Sequence, residues 1–203
     1  IGFAAAPFTL CSYMVEGGKS KEFTATKVLM YEHPQTWKLL MEKVVVVLID
    51  YLKMQVRAGA QALQIFDSWI GCIGPDDYRE YILPYSKMVY AGLKETGVPV
   101  INFSTGTSAM LGLVKEAGGD VIGFDWRIDL DAAWKTVGHD KAVQGNLDPI
   151  ALFAPIPVIK RKVYDILARA GGRPGHIFTL GHGILQHTPV DHVKAVAEMV
   201  HEY

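Results

Sequence analysis

Short apolar runs that end on a small or polar residue recur along the chain, each followed by a stretch with apolar positions at helical spacing. Residues 1–5, 62–66, 98–103, 120–124, 142–145 and 177–180 read as strands. Pro34 opens a long helix from His33 to Gly59, in which Trp37, Leu40, Met41, Val44, Val45 and Leu48 follow the 3.6-residue period. Asp76 and Asp77 start a helix that runs towards Gly97, with a kink expected at Pro84. Residues 108–117 form another, stopped by Gly118-Gly119, because glycine takes the left-handed cap without strain. Residues 129–137 make a short helix, 157–170 one closed by Gly171-Gly172, and Pro189 starts the last.

Strict alternation of strand and helix predicts an α/β fold with a parallel sheet, since parallel neighbours need a crossover and the crossover is usually a helix. A doubly wound nucleotide-binding fold would carry G-x-G-x-x-G or G-x-x-x-x-G-K-[ST] after a strand, and neither string occurs. The expectation is therefore a (β/α)8 TIM barrel, incomplete in this chain. About six of its eight βα units are present. Residues 1–203 then form a single partial barrel domain that lacks its N-terminal units.

Composition narrows the function. Lys+Arg number 20 against Asp+Glu 21, with no basic run, so nothing favours nucleic acid as a partner. Cys11 and Cys72 form neither a disulfide framework nor a C-x-x-C pair, which points to a reducing compartment and a cytoplasmic location. The apolar stretch at residues 44–49 is flanked by charges, so no membrane span is expected. The chain starts on Ile1 with no basic segment ahead of an apolar one, so no signal peptide is read.

The strand ends are polar in every unit: Tyr13 on the helix after the first, then Asp67-Ser68-Trp69, Ser104 to Thr107, Asp125-Trp126-Arg127, Asn146-Leu147-Asp148, and Gly181-His182-Gly183. In a barrel these ends carry the chemistry. Asp67 and Asp125 read equally as groups of the mouth or, more plainly, as helix caps or turn formers. Ser68 lacks a G-x-S-x-G elbow, so acyl-enzyme chemistry is not expected. Thr105-Gly106-Thr107 is either an anion-binding turn or a plain strand-to-helix turn. His182 lies between two glycines and reads either as an accessible imidazole of the mouth or as a packed or capping histidine. His33, His139, His176, His187, His192 and His201 are expected on loops or helices away from the mouth, most of them solvated. There is no H-x-x-x-H, and no metal site is expected.

Several strings together resemble the uroporphyrinogen decarboxylase family: Phe3 to Leu10 (FAAAPFTL), Tyr13 to Gly18 (YMVEGG), Ala58 to Trp69 (AGAQALQIFDSW), Gly123 to Trp126 (GFDW), Gln144 to Pro149 (QGNLDP) and Leu180 to Ile184 (LGHGI). The ordered set spans almost the whole chain. The resemblance implies a (β/α)8 barrel, a cytoplasmic homodimer, and uroporphyrinogen as the small-molecule substrate. It further implies removal of four acetate carboxylates to give coproporphyrinogen, with no metal or organic cofactor. It makes Tyr13, Ser68 and His182 the substrate-binding residues. The family's catalytic aspartate and its arginine pair, within an R-Q-A-G-R string, match nothing here, so no catalytic residue is assigned in this chain and the chain alone is expected to be inactive.

Two other readings stand beside this one. A zinc-dependent cobalamin or coenzyme M methyltransferase of the same superfamily would need an H-x-C pair, but His182 is followed by Gly183 and Ile184, and no cysteine lies beyond Cys72. A non-catalytic truncated chain that acts only in association would expose an edge strand at residues 1–5.

Overall fold

Proline at the start and glycine at the end frame several of the helices in the computed structural model, which describes residues 1–18 and 20–203. Six strands alternate with helices, and the strand order in the sheet is the chain order. The chain divides into two compact units, residues 1–122 and 123–203, and the division falls inside the fourth strand.

In the first unit β1 (Gly2–Ala5), β2 (Leu63–Asp67) and β3 (Val100–Ser104) pair in parallel, with Gly2 opposite Leu63 and Leu63 opposite Val100. β3 is buried along its whole length, as a strand covered on both faces must be. The Asp120 N–H donates to Val100 O (2.8 Å) and starts β4 (Val121–Gly123) beside it.

Helices α1 (Pro7–Glu16), α2 (Thr24–Glu32) and α3 (Pro34–Arg57) follow β1. α3 buries Trp37, Met41, Val45, Leu48 and Leu52, one stripe at helical spacing. Each such side chain contributes roughly 1.5–3 kcal/mol of hydrophobic stabilisation. The Trp37 indole N–H donates to Tyr81 O (2.9 Å) and so fixes α3 against the end of α4 (Pro75–Tyr81). The helix expected from Asp76 to Gly97 is broken: α4 ends at Tyr81, and α5 (Leu83–Leu93) restarts around Pro84, the chain bending at Ile82 (φ −129°, ψ −47°). A short 3-10 turn and α6 (Leu111–Ala117) follow β3. Asn102, buried on β3, donates from Nδ2 to Val114 O and Gly118 O (3.0 Å each), satisfying the carbonyls at the end of α6.

The second unit takes β4 onward. The Phe124 N–H donates to Gln144 O (3.1 Å), beside β5 (Ala142–Leu147), which pairs in parallel with β6 (His176–Leu180). α7 (Leu130–Val137) and α8 (Ile156–Ala170) are the crossovers, and α9 (Val190–Glu202) ends the chain. Gly171 closes α8 in the left-handed conformation (φ +65°), as its place after the periodic run predicts. Among the described residues no helix is long and apolar enough to cross a membrane.

Candidate active site

The first unit brings Tyr13 and the turn after β2 together. Tyr13, half exposed on α1, stacks on Trp69 with ring centroids 3.8 Å apart. Trp69 is the residue next to Ser68, so the two expected hydroxyls flank one aromatic pair. The Ser68 hydroxyl has no hydrogen-bond partner among the described residues, while the Ser68 carbonyl accepts from the Thr105 hydroxyl (2.7 Å). Its backbone is thus fixed by Thr105.

Asp67 is neither a helix cap nor an exposed base. It is buried, accepts from the Thr9 hydroxyl (2.7 Å), and burial pushes its carboxyl up to about 7, against the lowering effect of that hydrogen bond. The Thr9 oxygen in turn accepts from the Trp69 N–H (3.3 Å), so Asp67 and Thr9 hold the Ser68–Trp69 turn. A cavity of about 10 Å³ beside Asp67, walled by Tyr78, Ser86, Tyr90, Asn102 and Ser104, has room for one water molecule and none for a substrate.

The turn after β3 is structural. Thr105 bonds to Ser68, the Thr107 and Ser104 hydroxyls bond each other (2.7 Å), and Gly106 (φ +70°) lies so close to Gly71 that a Cβ on either would come within 2.9 Å of the other's Cα. Both threonine hydroxyls bond within the protein.

In the second unit His182 sits on the turn after β6, exposed, and its Nδ1 accepts from the Gly183 N–H (2.7 Å). A backbone N–H can only donate, so the neutral ring carries its proton on Nε2 and presents it outward as a donor. The neighbouring turn after β4 packs directly against it: a Cβ on Gly181 would fall 2.8 Å from Trp126 N and 2.9 Å from Asp125 Cα. Asp125 is buried and accepts from the Arg127 N–H (3.0 Å) and from its guanidinium, while Asn146 Nδ2 donates to Asp125 O (3.1 Å) and Ile128 O (2.7 Å). Asp125 is thus a turn former with its charge paired.

A groove of about 380 Å³ at the ends of β4 and β5 contains Arg169, which is engaged by Asp129, Asp131 and Asp165 at 3.1, 3.0 and 2.8 Å. His176 corrects its expected place: it lies on β6, partly buried, with Nε2 2.9 Å from Gly145 O, and burial holds its pKa below the usual histidine value. Burial also pushes the Cys11 and Cys72 thiols up, to about 12 and about 11. Among the described residues no three His, Cys, Asp or Glu side chains cluster as metal ligands would.

Sequence reasoning missed Thr9 as the partner of Asp67, and it named Arg127 at a strand end without its pairing to Asp125. The spacing Asp125-x-Arg127 is that of an Asx turn and was a usable signal. Thr9 carried none, because its partner lies 58 positions away.

A parallel α/β chain with its polar side chains at the C-terminal strand ends has the design of a barrel enzyme. The fold is similar to that of a methyltransferase from Methanosarcina mazei, with a TM-score of 0.84 at 18% identity over 99% of this chain and 58% of that one. It is also similar to a protein described as a putative vitamin-B12-independent methionine synthase from Listeria monocytogenes, at 0.60 and 10%. At such identities the likeness concerns the fold. The family model for uroporphyrinogen decarboxylase (URO-D) matches residues 1–203, and the chain belongs to that family. It is 58% identical over 202 residues to the uroporphyrinogen decarboxylase of Carboxydothermus hydrogenoformans, and 53% over 203 residues to that of Solibacter usitatus. All of this chain is covered in both alignments, but only 58% and 59% of those relatives, so it spans a little under three fifths of their length.

Proposed function

We propose that this chain is the greater part of a uroporphyrinogen decarboxylase, acting in the cytoplasm as a homodimer. Its two units would belong to one partial barrel domain, in which Tyr13, Ser68 and His182 bind the substrate. The observation that carries the reading is identity above 50% across the whole chain to relatives of that name. The reaction removes four acetate carboxylates from uroporphyrinogen and leaves coproporphyrinogen. At each step a ring carbon of the pyrrole is protonated, the C–C bond to the carboxylate breaks, its electron pair flows into the pyrrolium as CO2 leaves, and the resulting exocyclic methylene takes a proton to become methyl while the ring proton is returned.

The residues present suit binding and orientation. The exposed Tyr13 ring leans on Trp69 at an interplanar angle of 35°, the Ser68 hydroxyl is unpartnered among the described residues, and His182 offers an Nε2 proton, so each can donate to a carboxylate. Stabilising the pyrrolium needs a carboxylate near the ring nitrogens. Asp67 is buried behind Thr9 and Asp125 is paired with Arg127, so neither is offered to the ring. The H-x-C pair of a zinc-dependent methyltransferase has no counterpart in the chain, since His182 is followed by Gly183 and Ile184 and no cysteine lies beyond Cys72.

The test is an assay of uroporphyrinogen conversion. A chain extended at its N-terminus by two βα units is expected to form coproporphyrinogen, and the 203 residues alone are not. Robust turnover by the 203 residues would overturn the expectation of inactivity, and none by the extended chain would overturn the function.

A further inference from the structure

Arg127 stands out among the cations of the second unit, because its guanidinium is built into the turn after β4 while half of it remains in solvent. The Asp125 side chain is 2% exposed and the Arg127 side chain 53%. Three contacts fix the arginine. Its backbone N–H donates to Asp125 Oδ1 (3.0 Å), its Nη1 donates to Asp125 Oδ2, and its Cζ lies 4.4 Å from the centre of the Trp126 ring. The turn itself is pinned by Asn146 and backed by Gly181, the residue before His182.

A buried carboxylate needs a counter-charge, and one Arg127 nitrogen supplies it. Pairing with Asp125 accounts for Nη1, and the other guanidinium donors have no protein partner among the described residues. A guanidinium carries five N–H groups in a planar fork, so one side can be tied to Asp125 while the other receives a second carboxylate. The stacking and the ion pair hold the fork in place before a ligand arrives, so little side-chain freedom remains to be lost on binding. A lysine point charge would reproduce the Asp125 pair but not a two-pronged contact.

We propose that Arg127 is a carboxylate-binding residue of the substrate site, acting beside His182 and positioned by Asp125. The inference rests on the proposed function, since a polycarboxylate substrate supplies the acid groups, and it gives this chain an arginine of its own for them. Asp125 is the positioning residue: it touches Arg127 and no substrate atom.

The test is binding of uroporphyrin, the stable oxidised octacarboxylate, to the 203-residue chain, followed by protein and porphyrin fluorescence. Arg127→Lys is expected to weaken binding several-fold, and Arg127→Gln by roughly 10-fold or more, the loss typical of a charge-assisted hydrogen bond. Because Arg127→Gln leaves Asp125 buried without its partner, the double variant Asp125→Asn with Arg127→Gln is measured too, with its thermal midpoint as a folding control. It is expected to match the single variant in binding while recovering stability. Binding within twofold of wild type in the folded double variant, with His182→Asn still impaired, would overturn the inference and leave the proposed function standing. Loss on Arg127 substitution, with Tyr13→Phe, Ser68→Ala and His182→Asn all unchanged, would overturn the placement of Arg127 beside His182 in the substrate site and the assignment of those three residues to it. A wild-type chain that binds no uroporphyrin overturns the inference, while the proposed function stands or falls on turnover by the extended chain.

Discussion

Among single residues, Asp67 carries the clearest consequence. Its carboxyl is pushed up to about 7 in the folded protein, from an ordinary value near 3.8. Between those values the folded state holds more protons than the unfolded one, so raising the pH from 4 to 7 favours unfolding, and the loss is complete above 7. An asparagine at this position would keep the acceptor for Thr9 without the charge. Asp67→Asn is therefore expected to match the parent only below the ordinary carboxyl value, at about pH 3.5, and to exceed it by about 1 kcal/mol or more at pH 8. Parallel pH–stability curves in urea would rule out Asp67 as the titrating group. Tyr13→Phe, Ser68→Ala and His182→Asn belong to the opposite class. Their side chains carry little of the fold, so stability should stay within about 0.5 kcal/mol. In the extended enzyme, turnover at low substrate should fall about 10-fold or more for each. Wild-type kinetics would refute their assignment. The exposed polar residues at strand ends were legible from the strand count; the roles of Asp67 and Asp125 were not, because each depends on a partner that pattern alone does not place.

Among the elements, the strands and long helices followed from periodicity, and α2 did not. It buries only Thr26 and Met30, too few positions to leave an apolar stripe. Its start is fixed from a distance: Glu16, ten residues upstream, accepts from the Thr26 N–H and hydroxyl (2.8 Å each), placing a carboxylate at the helix N-terminus. That gives the glutamate of the YMVEGG string a structural task. The expected open edge at β1 is also modified. Gln55 on α3 folds over it, accepting from the Phe3 N–H (2.8 Å) and donating to Phe3 O (2.9 Å), so a side-chain amide pairs with the strand as a neighbouring peptide would. Gln55→Val removes that cover. Sedimentation of the variant is expected to show self-association beyond that of its parent and rising with concentration; a variant that sediments as its parent does would show that the amide does not guard the edge.

At the scale of the whole molecule, the parallel α/β class was readable because each strand–helix–strand passage permits so few arrangements. The division at residues 122 and 123 was not, since it has no linker and falls within β4. The length of the relatives agrees with the strand count that this chain is only part of such a barrel, since it spans a little under three fifths of them. One local feature also limits how such a chain can be re-engineered. Barrels are prized as scaffolds because loops can be exchanged one at a time above a constant frame. Gly71 and Gly106 touch through their backbones, and Thr105 is tied to Ser68. The segments after β2 and β3 are therefore a single graftable cassette, and a donor sequence for one must bring its own version of the other.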